Sequence, residues 1–258
     1  MSVNIEGLDI AITEGIYNFV NNNNLTRELP YYLGLLPYEI YVLPGMFIAM
    51  IQVILYSSYN PIQFHLLPHF FAFSLFQLIK GTVGRERPGC SRKSLGNFID
   101  KSHCSGKQRF LSFPSGHTGI AFALATALYL EMNHSSNPKF FDIEIKDKKN
   151  QKLISYLGIF VAVFISIHRI SKGYHYFSDT LVGGILGSTI GYVTWKILER
   201  YKRGYYKYCE KDKKSEVCSK DEKSILEIIF KLLLLVPILF LLIKFVIIDI
   251  RNLASVKH

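Results

Sequence analysis

Three short segments carry residues whose types and spacing suit chemistry on a phosphate ester. The first is Lys80-Gly-Thr-Val-Gly-Arg-Glu-Arg87-Pro88, the second Phe113-Pro114-Ser115-Gly116-His117, and the third runs from Arg169 through His175 to Asp179. Lys80, Arg87 and Arg169 end or follow apolar stretches, where burying a cation is expensive unless an anion compensates it. A phosphate dianion is a natural partner, because Arg offers a planar fork of donors and Lys a point charge. Ser115 and Gly116 open a helix after Pro114, and the free amides of a helix start favour an anion. His175 and Asp179 are four residues apart and would share one face of a helix. The carboxylate would accept a hydrogen bond from one ring nitrogen, fixing the tautomer and leaving the other nitrogen to attack. His117 would protonate the departing oxygen as general acid. Taken singly, each has a plainer reading. A Lys or Arg at a helix end ordinarily snorkels to headgroups, a lone Ser115 is an ordinary N-cap, and a lone His/Asp pair is a structural hydrogen bond. Convergence of the three segments on one face favours chemistry.

The elements that must position them are apolar helices. Of the 258 residues, 49% are hydrophobic and only 19% charged, and the mean hydropathy is +0.20, a composition that suits lipid-exposed surface. Six apolar stretches approach the ~20 residues that cross a bilayer: 40–56, 62–79, 114–130, 153–168, 180–198 and 228–248. Pro44, Pro68 and Pro237 inside them are tolerated where neighbouring helices satisfy the freed carbonyl. The expected class is therefore all-α, a polytopic membrane bundle of about six transmembrane helices. Residues 1–39 form a polar or interfacial segment, 40–250 the membrane domain and 251–258 a short tail. Alternating spans place the 81–113 and 169–178 loops on one face, and the 133–152 and 199–224 connections on the other. Lys and Arg are nearly balanced between the faces until Lys80, Arg87 and Arg169 are set aside. The 133–152 side then reads as cytosolic, and the chemistry as lumenal or extracytoplasmic.

The polar start and the Asn21–Asn24 run show no cleavable signal peptide, and residues around Ile12, Tyr17, Phe19 and Val20 read equally as an interfacial amphipathic helix or a solvated tail. Cys90/Cys104 and Cys209/Cys218 lack zinc-site spacing. A Cys90–Cys104 disulfide and free thiols are both open. His65 and His69 suit helix packing better than a metal pair, and His103, His134 and His258 read as solvated. The net charge of +10 is scattered in short segments between apolar stretches, which meets anionic headgroups rather than nucleic acid.

Lys80-x6-Arg87-Pro88, Pro114-Ser115-Gly116-His117 and Arg169-x5-His175-x3-Asp179 together resemble the three-part signature of the type 2 phosphatidic acid phosphatase superfamily. The resemblance implies phosphate binding by Lys80, Arg87, Ser115, Gly116 and Arg169. His117 would be the acid, His175 the nucleophile forming a phosphohistidine, and Asp179 its orienting partner, with no metal and no cofactor. His168 departs from the Ser usual before this arginine. Gly84-Arg85-Glu86-Arg87-Pro88 and Ser112–His117 look most like the lipid phosphate phosphatase branch, acting on phosphatidate or a related lipid. Rivals are a polyprenyl diphosphate phosphatase, a lipid head-group phosphotransferase, which would lack the Lys80–Arg87 cluster, and a non-catalytic membrane scaffold.

Overall fold

The computed structural model describes residues 5–22, 62–99, 101–135, 138–140 and 143–211. They form α1 (Ile5–Asn21), α2 (Ile62–Val83), the single turn α3 (Pro88–Ser91), α4 (Gly116–His134), α5 (Lys148–Ser171) and α6 (Phe177–Lys211), with 3₁₀ turns between α3 and α4. The strand pair among the described residues is a two-residue ladder, Lys139–Phe140 with Ile143–Glu144. The all-α class holds. The expected spans at 40–56 and 228–248 lie outside the described residues, as do Pro44, Pro237, Cys218 and His258. The side chains of His65 and Cys209 lie outside them too. The chain divides into two compact units, one of Met1–Ile54 with Ser58–Tyr201 and one of Leu55–Ser57 with Lys202–His258. In the second, α6 continues as helix to Lys211. All that follows concerns the first.

Lys148–Ser171 and Phe177–Arg200, 24 residues each, are long and apolar enough to cross a membrane. At ~1.5 Å per residue either exceeds a hydrocarbon core of about 30 Å. Their outward faces are apolar: Leu153, Leu157 and Phe160 on α5, and Leu181, Ile185 and Ile197 on α6, are exposed, as are Phe71 and Leu78 on α2. The interior is built from smaller contacts. Ala72 and Phe76 of α2 pack on Ile120 and Ala123 of α4, with Leu186 and Ile190 of α6 beside them. This inside-out distribution of bulk is what a lipid solvent permits, since association there rests on close packing rather than on escape from water.

That close packing has a sequence basis. Gly183, Gly187 and Gly191 recur every fourth residue on α6, and a Cβ at each would fall on the α4 carbonyls of Ser115, Gly119 and Ala123 respectively. The stripe lets the two backbones touch, and it draws the start of α6 against the start of α4. The Ser115 amide donates to the Asp179 carbonyl at 3.0 Å. Both helix starts thereby become one wall of the site.

Helix α1 meets neither sequence expectation in full. It is amphipathic, yet Asp9, Thr13, Tyr17 and Val20 face inward while Ile5, Leu8 and Phe19 are exposed. A solvated tail is excluded by the buried polar stripe. Its partners are described below.

Candidate active site

The site forms where α2 ends, α4 begins, α5 ends and α6 begins. Lys80 lies in the last turn of α2, and its Nζ donates to the Leu111 carbonyl at 3.2 Å. Gly84, at φ 62°, turns the chain so that residues 85–87 run back across the bundle end. Arg87 is buried. Its Nε donates to the Gln108 carbonyl at 3.0 Å and its Nη1 to the Tyr174 carbonyl at 3.1 Å. Arg169, at the end of α5, stacks on the Tyr174 ring with its guanidinium carbon 4.0 Å from the centroid. The loop that supplies Gln108 and Leu111 is stapled by a Cys90–Cys104 disulfide, which decides between the two readings of those thiols.

Ser115 is the N-cap of α4, in extended conformation, and is fully buried. Its hydroxyl donates to Thr118 Oγ1 at 3.0 Å rather than capping the helix. With its own amide given to Asp179, an anion at this terminus is left with the amides that follow it in the first turn. His117 stands in that turn. Arg169, His175, Lys80 and Arg87 all lie close enough to act on it electrostatically.

His175 does not share a helix with Asp179. It sits in the 172–176 loop, and only Asp179 belongs to α6. The physical cause is Gly173, whose φ of +71° ends α5. A side chain there would enter the left-handed region at a cost of about 1–2 kcal/mol and run into the Leu95 carbonyl. The direct His175–Asp179 hydrogen bond expected from the spacing is replaced as well. Nδ1 of His175 lies 2.7 Å from the Ser112 carbonyl, and 3.8 Å from Asp179 Oδ2. A carbonyl only accepts, so Nδ1 carries the proton and Nε2 the lone pair. Asp179 acts one step back. It is fully buried, and it accepts from the Ser112 hydroxyl, the Tyr176 amide (2.9 Å) and Arg85 Nη1 (2.6 Å). It therefore fixes the residues on both sides of the imidazole.

Residues 65–203 match the model of the PAP2 superfamily. The chain belongs to the PAP2 superfamily. A probable lipid phosphate phosphatase 4 of Arabidopsis thaliana is 31% identical over 121 residues, which are 42% of this chain and 38% of that protein. A putative phosphatidate phosphatase of Drosophila melanogaster is 29% identical over 133 residues, 48% of this chain and 32% of that one. The match thus spans about a third of each relative's length. A transmembrane PAP2-type phosphatidylglycerolphosphate phosphatase from Bacillus subtilis shares the fold, with TM-score 0.57 at 21% identity over 77% of this chain and 88% of that one. That neighbour is a transmembrane protein, and the two long apolar helices, α5 and α6, are in keeping with its fold.

The eight candidate site residues fall within the matched residues 65–203, and all eight lie at the ends of α2, α4, α5 and α6 or in the loops joining them, Gly116 opening α4 beside Lys80. Two polar residues of the same network went unassigned. Ser112 supplies both the carbonyl to His175 and the hydroxyl to Asp179. Arg85 bridges Asp179 and Asp9 and lies 4.0 Å over the Tyr176 ring. Burial alone would lower the Arg85 pKa, but Asp179 and Asp9 outweigh it and raise it. His103, read as solvated, sets its ring edge-on to Tyr174 at 4.8 Å. His69 is buried in α2, in keeping with a packing role.

Burial, and after it the charges of Lys80, Arg87 and Arg169, push the His175 pKa well below its ordinary value; the Ser112 carbonyl opposes this without reversing it. A consequence for stability follows. In the unfolded chain His175 takes a proton below about pH 6.5, whereas folded it stays neutral. The fold therefore loses stability as pH falls below that value, by about 1.4 kcal/mol per pH unit from this group. Unfolding of the purified protein between pH 7 and pH 5 should show a steeper acid loss in wild type than in His175→Gln. Parallel curves would mean that His175 is charged in the folded protein.

Proposed function

We propose that this chain is a membrane phosphatase that removes phosphate from a lipid phosphate monoester, phosphatidate or a related lipid, through a phosphohistidine on His175. The observation that carries the reading is a buried imidazole, tied by Nδ1 to a backbone carbonyl, with Lys80, Arg87, Arg169 and His117 within electrostatic reach. Nε2 attacks phosphorus, and the bond to the lipid oxygen breaks as His117 gives that oxygen its proton. His117, now neutral, takes a proton from water as the water attacks the phosphohistidine; the P–Nε2 bond breaks, which releases phosphate, the neutral His175 and a reprotonated His117. The three cations and the amides of α4 stabilise charge spread over the transferring phosphoryl oxygens. Lys80, Arg87, Ser115, Gly116 and Arg169 bind phosphate in this scheme, and Asp179 positions His175 through Ser112 and Tyr176. A lipid as the carrier is supported by relatives described as lipid phosphate and phosphatidate phosphatases.

The same reading holds the chain to six spans, with the site facing the lumen or exterior. The Cys90–Cys104 disulfide in the site-side loop supports that orientation, because disulfides persist in oxidising compartments. A substrate panel at neutral pH tests the function: phosphatidate, a polyprenyl diphosphate and a soluble sugar phosphate, each with and without EDTA. Chelator-insensitive phosphate release, fastest from phosphatidate, is expected. Preference for the diphosphate would reassign the substrate, and strict dependence on added Mg²⁺ would overturn the mechanism.

A further inference from the structure

We infer that helix α1 is a positioning element that clamps both ends of the loop carrying His175, through Asp9, Thr13 and Asn21. The inference rests on His175 as nucleophile. Helix α6 begins at Phe177, and its first amides have no partner within their own helix. Such amides are ordinarily satisfied by a Ser, Thr, Asp or Asn at the N-cap, but the residue preceding this helix is Tyr176. The acceptors come instead from α1. The Phe177 amide donates to Thr13 Oγ1 at 3.0 Å, and the Ser178 amide to Asp9 Oδ1 at 2.8 Å. The Ser178 hydroxyl adds a bond to Asp9 Oδ2 at 2.6 Å. At the other end of the loop, Asn21 Nδ2 donates to the Ser171 carbonyl at 2.8 Å, where α5 finishes.

The clamp is itself held. Thr13 donates its own proton to the Asp9 carbonyl at 2.7 Å, so the hydroxyl is oriented with a lone pair toward Phe177. Arg85 donates to Asp9 Oδ2 at 2.8 Å with one arm and to Asp179 with the other. The charge of Asp9 is thereby compensated, and α1 is tied to the carboxylate that fixes Tyr176. Asp9 and Thr13 are buried on the inward stripe of α1. The family match starts at residue 65, so this support reaches the site from outside the matched region.

The reason such support matters is that phosphoryl transfer is catalysed by placement and electrostatics. A displacement near 1 Å costs on the order of 100-fold. Thr13→Val keeps the shape and removes the acceptor, Thr13→Ser keeps the acceptor, and Asp9→Ala releases Ser178. On the phosphate ester that wild type hydrolyses best, Thr13→Val and Asp9→Ala should each lower kcat about tenfold or more, with KM nearly unchanged. Thr13→Ser should restore kcat. Amide hydrogen exchange over residues 172–178 should quicken in the two impaired variants and not in Thr13→Ser. Unchanged kcat, a loss matched by loss of folded protein, or a Thr13→Ser as poor as Thr13→Val would overturn the clamp. Failure of the nucleophile assignment would show differently, as an active His175→Ala, and would leave the exchange result standing.

Discussion

Replacing His175 with Ala should lower phosphate release by about 10⁴-fold or more while the protein still inserts and folds, because removing a covalent nucleophile leaves only binding and electrostatic stabilisation. The expectation follows from how completely the ring is committed. It is 1% exposed, its Nδ1 is held by the Ser112 carbonyl, and burial, with the nearby cations after it, pushes its pKa well below the ordinary value. Nε2 is then a lone pair that needs no base to free it, on a ring within electrostatic reach of Lys80, Arg87 and Arg169. Labelling gives a second, independent readout. Brief mixing with a substrate carrying radioactive phosphate, followed by denaturation in base, should leave acid-labile label on wild type. None should remain on His175→Ala. An unlabelled wild type that still turns over, or a variant with substantial activity, would move the nucleophile to water and reduce His175 to a base.

Much of this candidate site was legible because three segments, each with a plainer reading alone, bring cations and histidines to one face. Lys80, Arg87, His117, Arg169, His175 and Asp179 needed only helix alternation to be placed together. What could not be read were the bonds between segments far apart in sequence. Arg85 and Arg87 are two arginines in one run, and spacing does not say that one reaches Gln108 and Tyr174 while the other reaches Asp9 and Asp179. Asp9 and Ser178 are 169 residues apart, so α1 looked equally like an interfacial helix or a tail. Other features do stand in the sequence. Gly173 after Lys172 is a helix-stop signal, and it argued against placing His175 and Asp179 on one helix. The four-residue spacing of Gly183, Gly187 and Gly191 announced a close helix contact. Its partner, α4, emerged only from the fold.

The second large effect concerns His117, and it should depend on the leaving group. A lipid alkoxide departs poorly, so His117→Asn should slow hydrolysis of phosphatidate by roughly 10²- to 10⁴-fold, the usual worth of a positioned general acid. An aryl phosphate with an acidic phenol needs no proton to leave, and its first step should be nearly unaffected. The two steps then separate. Phosphorylation of His175 by the aryl ester proceeds, but the return step also needs His117, now as base toward water. His117→Asn should therefore accumulate phosphohistidine and give a burst of phenol close to one equivalent, followed by slow turnover. Position makes His117 the candidate: it occupies the first turn of α4, within electrostatic reach of His175, Arg169, Lys80 and Arg87. Equal slowing of alkyl and aryl substrates, with no burst, would assign His117 to phosphate binding instead, since a binding contact is lost alike for every leaving group.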